Sequence, residues 1–447
     1  MKRSWRWAVV ICFITSVAPT WGQVSGARPP ILSLAVDRAP VPLEFGLSVK
    51  DAEEEYVIDV VPGMVRNAPD SFAVDLYQGV PMEARRIRSR THSGHTIWSG
   101  HLYFPTLLGQ DTPAGYILLL DHGDHVSGIV NVFATNEDFQ ILGNSKGEHR
   151  LVKLSRVRTP TCGVDTRELA AFAGSGNSRQ RPEESHFSTQ TLLGTAQIKV
   201  LAVVPEGELS QDAEDFIETS VEVANEAFYM SGIDAEYEFS VTELEGIPSY
   251  SSPSTEKKYL QWMNNGNLDD VRDSNHADMV VLFLSEWDAP YCGFANLRFY
   301  NDSAGHQREE IETGFAWREW TDQAFSVQII GCGLVDLTFG HELGHNFSLR
   351  HDAASVASPV KPLLGYPDPN GHLFWTAYGE RATVMGCVDK VTPACDRTFY
   401  FSNPNFTVPM FGITPTGRVD HPNGYYANAF QVLTGLVPEY ADLRTGE

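Results

Sequence analysis

HELGHNFSLRHD, residues 341–352, is the stretch on which the reading of the fold turns. DLTFGHELGHNF, which leads into it, has good helix-forming content. On a helix His341 and His345, four residues apart, project from one face within reach of a single metal ion, and Glu342 lies one step round without binding it. The order is ligand, base, ligand. With 14 histidines in the chain, chance yields HExxH in roughly one to three sequences per hundred, and a third histidine at the spacing of His351 in about one per thousand. The three-histidine pattern therefore points to a zinc site.

For His351 to reach the same ion the chain must turn sharply after Phe347. Glycine is usual at such a turn because it enters left-handed conformations freely. This chain has Ser348, whose Cβ costs about 1–2 kcal/mol there. Zinc sites are worth on the order of 10 kcal/mol, so the serine weakens the pattern without breaking it.

HELGHNFSLRHD resembles the extended signature HExxHxxGxxH of the metzincin metalloendopeptidases, and Asp352 after the third histidine resembles their adamalysin (reprolysin) branch. ATVMG places Met385 where the family has its methionine turn, 34 residues after His351. The resemblance covers most of residues 195–440. It implies an α/β (α+β) metzincin catalytic domain with a mixed twisted sheet and an active-site helix. It also implies Zn2+ held by His341, His345 and His351, Glu342 as general base for water attack on a peptide bond, and protein or peptide substrates. Asp352 is cast as an anchor for the turn. YCGFANLRF resembles the edge strand, so Gly293, Phe294, Ala295 and Asn296 are expected to pair with an extended substrate.

Of six cysteines, Cys12 lies in the expected leader, which leaves five in an oxidising compartment and one with a separate task. Cys292 at the edge strand and Cys332 before the zinc helix are placed to brace the cleft, and Cys387 with Cys395 to close a small loop; this is one of three connectivities open to four cysteines. The odd one, Cys162 in TPTCGV, resembles the cysteine-switch segment of latent metzincins, whose thiolate takes the fourth zinc position.

Outward from the motif, IKVLAVV, AEYEFSVTEL, MVVLFL and FSVQII read as strands, a helix capped by Ser210 runs to about Tyr229, and a last helix lies near GYYANAFQVLTGL. Residues 56–158 are β-rich, with turn residues between apolar runs, and predict an antiparallel sheet. AGSGNSRQRPEESHFSTQ lacks periodicity and reads as a linker. Lys2, Arg3 and Arg6 before a short apolar run read as a secretory signal. The expected organisation is signal 1–22, β-rich prodomain 23–172, linker 173–190 and protease 191–447, a secreted monomer inhibited by its own prodomain, with no membrane span.

The net charge is −24; residues 190–447 hold 14 Lys+Arg against 37 Asp+Glu, and residues 1–189 hold 19 against 20. So acidic a C-terminal half disfavours nucleic acid and anionic membrane as partners. His122 and His125 in DHGDH read as hairpin surface residues, and ARRIRSR as a solvated strand face that has the acidic half as its other possible partner. The rival reading is an inactive zinc-containing binding or adhesion protein; the presence of Glu342 counts against it, since a structural zinc needs no base.

Overall fold

The computed structural model describes residues 30–34, 47–61, 63–77, 81–104, 113–155, 162, 195–250, 255–285, 291–296, 324–347, 349, 351, 371–376, 379–386, 397–406, 408, 415–417 and 427–441. The expected signal and linker, Ser348, Asp352, Cys387 and Cys395 fall outside them.

The β-rich segment forms β1 (Pro30–Leu34), β2 (Ala52–Val60), β3 (Ser71–Asp75), β4 (Met82–His92), β5 (His95–Tyr103), β6 (Gly115–Asp121), β7 (Val126–Val132), β8 (Glu137–Gly143) and β9 (His149–Leu154). These close into a barrel in the order β1-β2-β9-β8-β7-β6-β5-β4-β3, a closure that the expected antiparallel sheet did not specify. The closing pair, β1 with β3, is parallel; closure satisfies strand edges that an open sheet leaves exposed. Phe72, Trp98, Leu102, Ile117, Leu119, Val130 and Ile141 fill the interior. Tyr116, Leu118 and Leu120, alternating with Ile117 and Leu119 on β6, join the neighbouring core instead. That is why GYILLL is apolar without a break: both of its faces are buried.

The second unit has a five-stranded sheet in the order β11 (Ala235–Leu244), β10 (Ala196–Pro205), β12 (Met279–Leu284), β14 (Phe325–Ile329), β13 (Gly293–Ala295). All its pairings are parallel except that of edge strand β13 with β14. On β12, Met279, Val281 and Phe283 face one core and Val280 and Leu282 the other, the expected burial of a central strand on both sides. A small hairpin, β15 (Leu373–Thr376) with β16 (Gly379–Ala382), precedes the methionine turn. The helices are α1 (Gln211–Ser231), α2 (Thr255–Trp262), α3 (Asp269–Ser274), α4 (Thr338–Asn346) and α5 (Ala429–Ala441). Ser210 caps α1, its side chain accepting from Ala213 N at 3.2 Å, a contact worth about 1 kcal/mol. Among the described residues no helix is long and apolar enough to cross a membrane.

Helix α1 carries Asp215, Glu218, Glu222 and Glu226, all buried and three or four residues apart, hence on one face. Such a row of carboxylates repels itself unless countered, and the barrel counters it. Arg90 pairs with Glu222 and, at 3.3 Å, with Glu236; His92 meets Glu222 at 2.6 Å, and Ser99 donates to Glu226 at 2.8 Å. The ARRIRSR strand docks on the acidic half through Arg90, while Arg85 and Arg86 pair with Glu83 and Asp70 at the barrel surface, so each of its two expected partners holds for part of it. His122 and His125 are not surface residues: their side chains are 4% and 3% exposed, against α1. Neither contact has a local sequence pattern, because the partners are 90 to 146 residues away.

Candidate metal centre and active site

Helix α4 places His341 and His345 on one face, as their spacing requires. His341 Nδ1 lies 2.8 Å from the Val384 carbonyl, and His345 Nδ1 lies 2.8 Å from that of Leu349. A carbonyl only accepts, so each Nδ1 carries the proton and each Nε2 presents a bare lone pair. His351 Nε2 stands 3.2 Å from His341 Nε2 and 3.0 Å from His345 Nε2. At most one of these facing nitrogens brings a proton, so the three repel unless a cation sits among them. Tetrahedral zinc with N bonds of about 2.0–2.1 Å needs nitrogens about 3.3 Å apart, and the donors fit. All three rings are buried, and that burial holds His345 down at about 4 and the other two well below the ordinary histidine range, so the imidazoles stay neutral as ligation requires.

Cys162 brings its Sγ to 3.4 Å from His345 Nε2, and with the three histidines it forms one group of donors all within 4.8 Å of one another. Zinc–sulfur bonds of about 2.3 Å set a sulfur–nitrogen spacing of about 3.6 Å. Cys162 is buried, in no disulfide, and forms a parallel bridge to Gly293 on the edge strand.

Glu342 is 1% exposed; its Oε2 lies 3.7 Å from Cys162 Sγ, and its Oε1 has no hydrogen-bond partner among the described residues. Burial pushes its carboxyl up to about 8, against the opposing pull of the Cys162 hydrogen bond and the Arg397 charge. Gly293 is needed beside it, since a Cβ there would stand 2.7 Å from Glu342 Cγ. Phe294 and Ala295 complete β13, and Asn296 follows it, donating its backbone N–H to Phe325 O at 3.0 Å. The Cys292–Cys332 disulfide is present and joins the foot of β13 to the approach to α4.

Met385 is buried beneath α4. A Cβ on Gly344 would stand 2.5 Å from its Sδ, so Gly344→Ala is expected to cost about 1–3 kcal/mol by overpacking. Denaturant unfolding checks this, and an unchanged midpoint would contradict the packing.

Two contributors carry no motif and escaped the sequence reading. Buried Arg397 donates to Gly386 O and Asp336 O, each at 2.9 Å, and so ties the methionine turn to the segment entering α4. Asn346, on the zinc helix, donates to Asn296 O at 2.9 Å and Phe325 O at 3.2 Å. Leu337, just before α4, is left-handed at φ 54°, a strain of about 1–2 kcal/mol for a residue with a Cβ. Strain thus occurs at the start of the zinc helix.

A family model described as Metallo-peptidase family M12B Reprolysin-like matches residues 215–352. The chain is 25% identical over 344 residues to a peptidyl-Asp metalloendopeptidase of Stenotrophomonas maltophilia (strain R551-3), covering 72% of this chain and 74% of that one. It is 24% identical over 422 residues to a protein of the same description from Xanthomonas campestris pv. campestris, covering 90% and 92%. Metalloproteinase-II from Bacteroides fragilis aligns at 12% identity and TM-score 0.30 over 65% of this chain and 83% of that one. The family match begins on α1 and ends just beyond His351, so the three converging imidazoles and Glu342 all lie inside it. Over residues 215–352 the chain matches the reprolysin-like metallopeptidase model, and with its three-histidine site it is a zinc metalloendopeptidase.

Proposed function

We propose that the chain is made as a secreted zymogen in which Cys162 occupies the position that activation opens to water. The carrying observation is the meeting of Cys162 Sγ, three imidazole Nε2 atoms and Glu342 in one buried pocket. In this reading residues 1–22 are a signal and 23–172 a prodomain that contains the barrel; 173–190 are the activating linker and 191–447 the protease.

Zinc, when bound, polarises water and the peptide carbonyl. His341, His345 and His351 would hold it, the carbonyls of Val384 and Leu349 turning the Nε2 lone pairs of His341 and His345 inward. Glu342 takes a proton from the attacking water through the partnerless Oε1, and burial, by raising its pKa, suits it to pass that proton to the leaving amine. Gly293, Phe294 and Ala295 offer a strand edge to an extended substrate once the Cys162 segment leaves its bridge to Gly293, while Asn296 turns its N–H and C=O to Phe325 and Asn346.

Relatives described as peptidyl-Asp metalloendopeptidases make peptides with aspartyl bonds the first substrates to try. Chain cut within 173–190 is expected to hydrolyse casein, to stop with a chelator and to recover with added zinc. Cut chain that keeps zinc and leaves casein intact would favour the inactive binding protein instead.

A further inference from the structure

A second convergence of imidazoles and carboxylates lies where the barrel meets α1, away from the pocket of His341. His95 opens β5, His122 and His125 lie at the turn between β6 and β7, and Asp215 and Glu218 are neighbours on α1. His122 Nδ1 is 3.3 Å from Glu218 Oε2 and 3.7 Å from Asp215 Oδ1, and His95 Nε2 is 3.6 Å from Glu218 Oε1.

A relay of hydrogen bonds fixes the proton on His122. Thr219 donates its hydroxyl to Asp215 O at 2.6 Å, so at 2.8 Å it accepts from Ser127, which at 2.7 Å accepts from His122 Nε2. The Nε2 proton is committed, so the neutral tautomer of this ring would turn its Nδ1 lone pair toward two carboxylates. A lone pair facing anions calls for a cation. His125 is already used: its nitrogens lie 2.6 Å from Asp124 and 2.6 Å from Asp215. Those are hydrogen-bond lengths. The His122–Glu218 and His95–Glu218 separations, one to each carboxylate oxygen, are longer and near the roughly 3.3 Å edge of a tetrahedral zinc site, and the three donors lie within 4.8 Å of one another.

We propose that His95, His122 and Glu218, beside the Asp215 carboxylate, bind a second divalent metal ion, zinc by the nitrogen-and-carboxylate character of the set, which clamps the barrel to α1. The histidines come from the barrel and the carboxylates from the protease half, so the ion bridges the two. The hydrogen bond from His122 to Ser127 supplies the outer-shell support typical of ligating imidazoles. The site shares no donor with the catalytic centre.

The test is metal content of the uncut full-length chain after gel filtration in zinc-buffered solution. Two zinc ions per chain are expected in the parent, one in Glu218→Gln, one in His345→Ala and none in the double variant. In the His345→Ala background, added zinc should raise Tm by a few degrees, and Glu218→Gln should abolish the rise. Should Glu218→Gln fail to fold, His95→Gln, at the most exposed donor, is read in its place. One zinc in the parent, or no zinc-dependent Tm shift in the His345→Ala chain, overturns the proposal and leaves protonated histidines as the partners of Glu218. Loss of the second ion alone leaves the catalytic zinc intact, so the two readings fail separately.

Discussion

Uncut Cys162→Ser protein is expected to hydrolyse peptide while the uncut parent stays nearly silent. A four-ligand zinc site is worth roughly 10–16 kcal/mol, so one ligand's share is about 3 kcal/mol, or about 100-fold in the equilibrium between thiolate and water at the metal. Serine occupies nearly the same volume and ligates poorly at neutral pH, so the substitution removes the donor and leaves the packing. The bridge to Gly293 runs through backbone and survives it. For that reason a modest residual latency is expected from bulk over the cleft. The assay needs a linker between residues 173 and 190 that resists cutting, so that self-processing does not imitate release. Equal silence of parent and variant would assign latency to the barrel and its segment as an obstacle; equal activity would mean no latency for Cys162 to enforce.

Glu342→Ala in the activated chain is expected to lower kcat by about 100- to 10,000-fold, the range for loss of a positioned general base. Zinc content should not change, because the donors are His341, His345 and His351. Removing a buried carboxyl whose Oε1 lacks a partner should also leave stability level or slightly higher. Loss of zinc in this variant would make Glu342 a ligand and contradict its role as base. Retained turnover would move the base elsewhere.

The strands and helices that carry the site were legible because each has its own local signal. MVVLFL is apolar on both faces, AEYEFSVTEL is bounded by turn residues, and Ser210 caps a helix with a clear apolar face. The zinc ligands were legible because four residues on a helix make one face, whatever surrounds it. What the sequence withheld depends on contacts between distant segments. Barrel closure rests on β1 pairing parallel with β3, which no alternation announces. The docking of Arg90 on Glu222 joins residues 132 apart, and the carboxylate row of α1 reads as a solvated face until the barrel covers it. Net charge misleads in the same way: Asp215, Glu218, Glu222 and Glu226 count toward the acidity of the second half yet lie buried against the barrel. Arg397 escaped because a buried arginine that binds backbone carbonyls looks, in sequence, like any surface arginine.

In the uncut chain the Cys162 thiolate and the three histidines are proposed to bind one metal ion. Cobalt substitution tests it directly, since only a thiolate ligand gives an intense near-ultraviolet sulfur-to-cobalt charge-transfer band, and the His95, His122 and Glu218 cluster offers no sulfur to confuse it. The account predicts the band in uncut cobalt-loaded protein, its loss on cutting and release of the segment, and its absence in uncut Cys162→Ser protein at equal cobalt content. Uncut parent that binds cobalt without the band would contradict it.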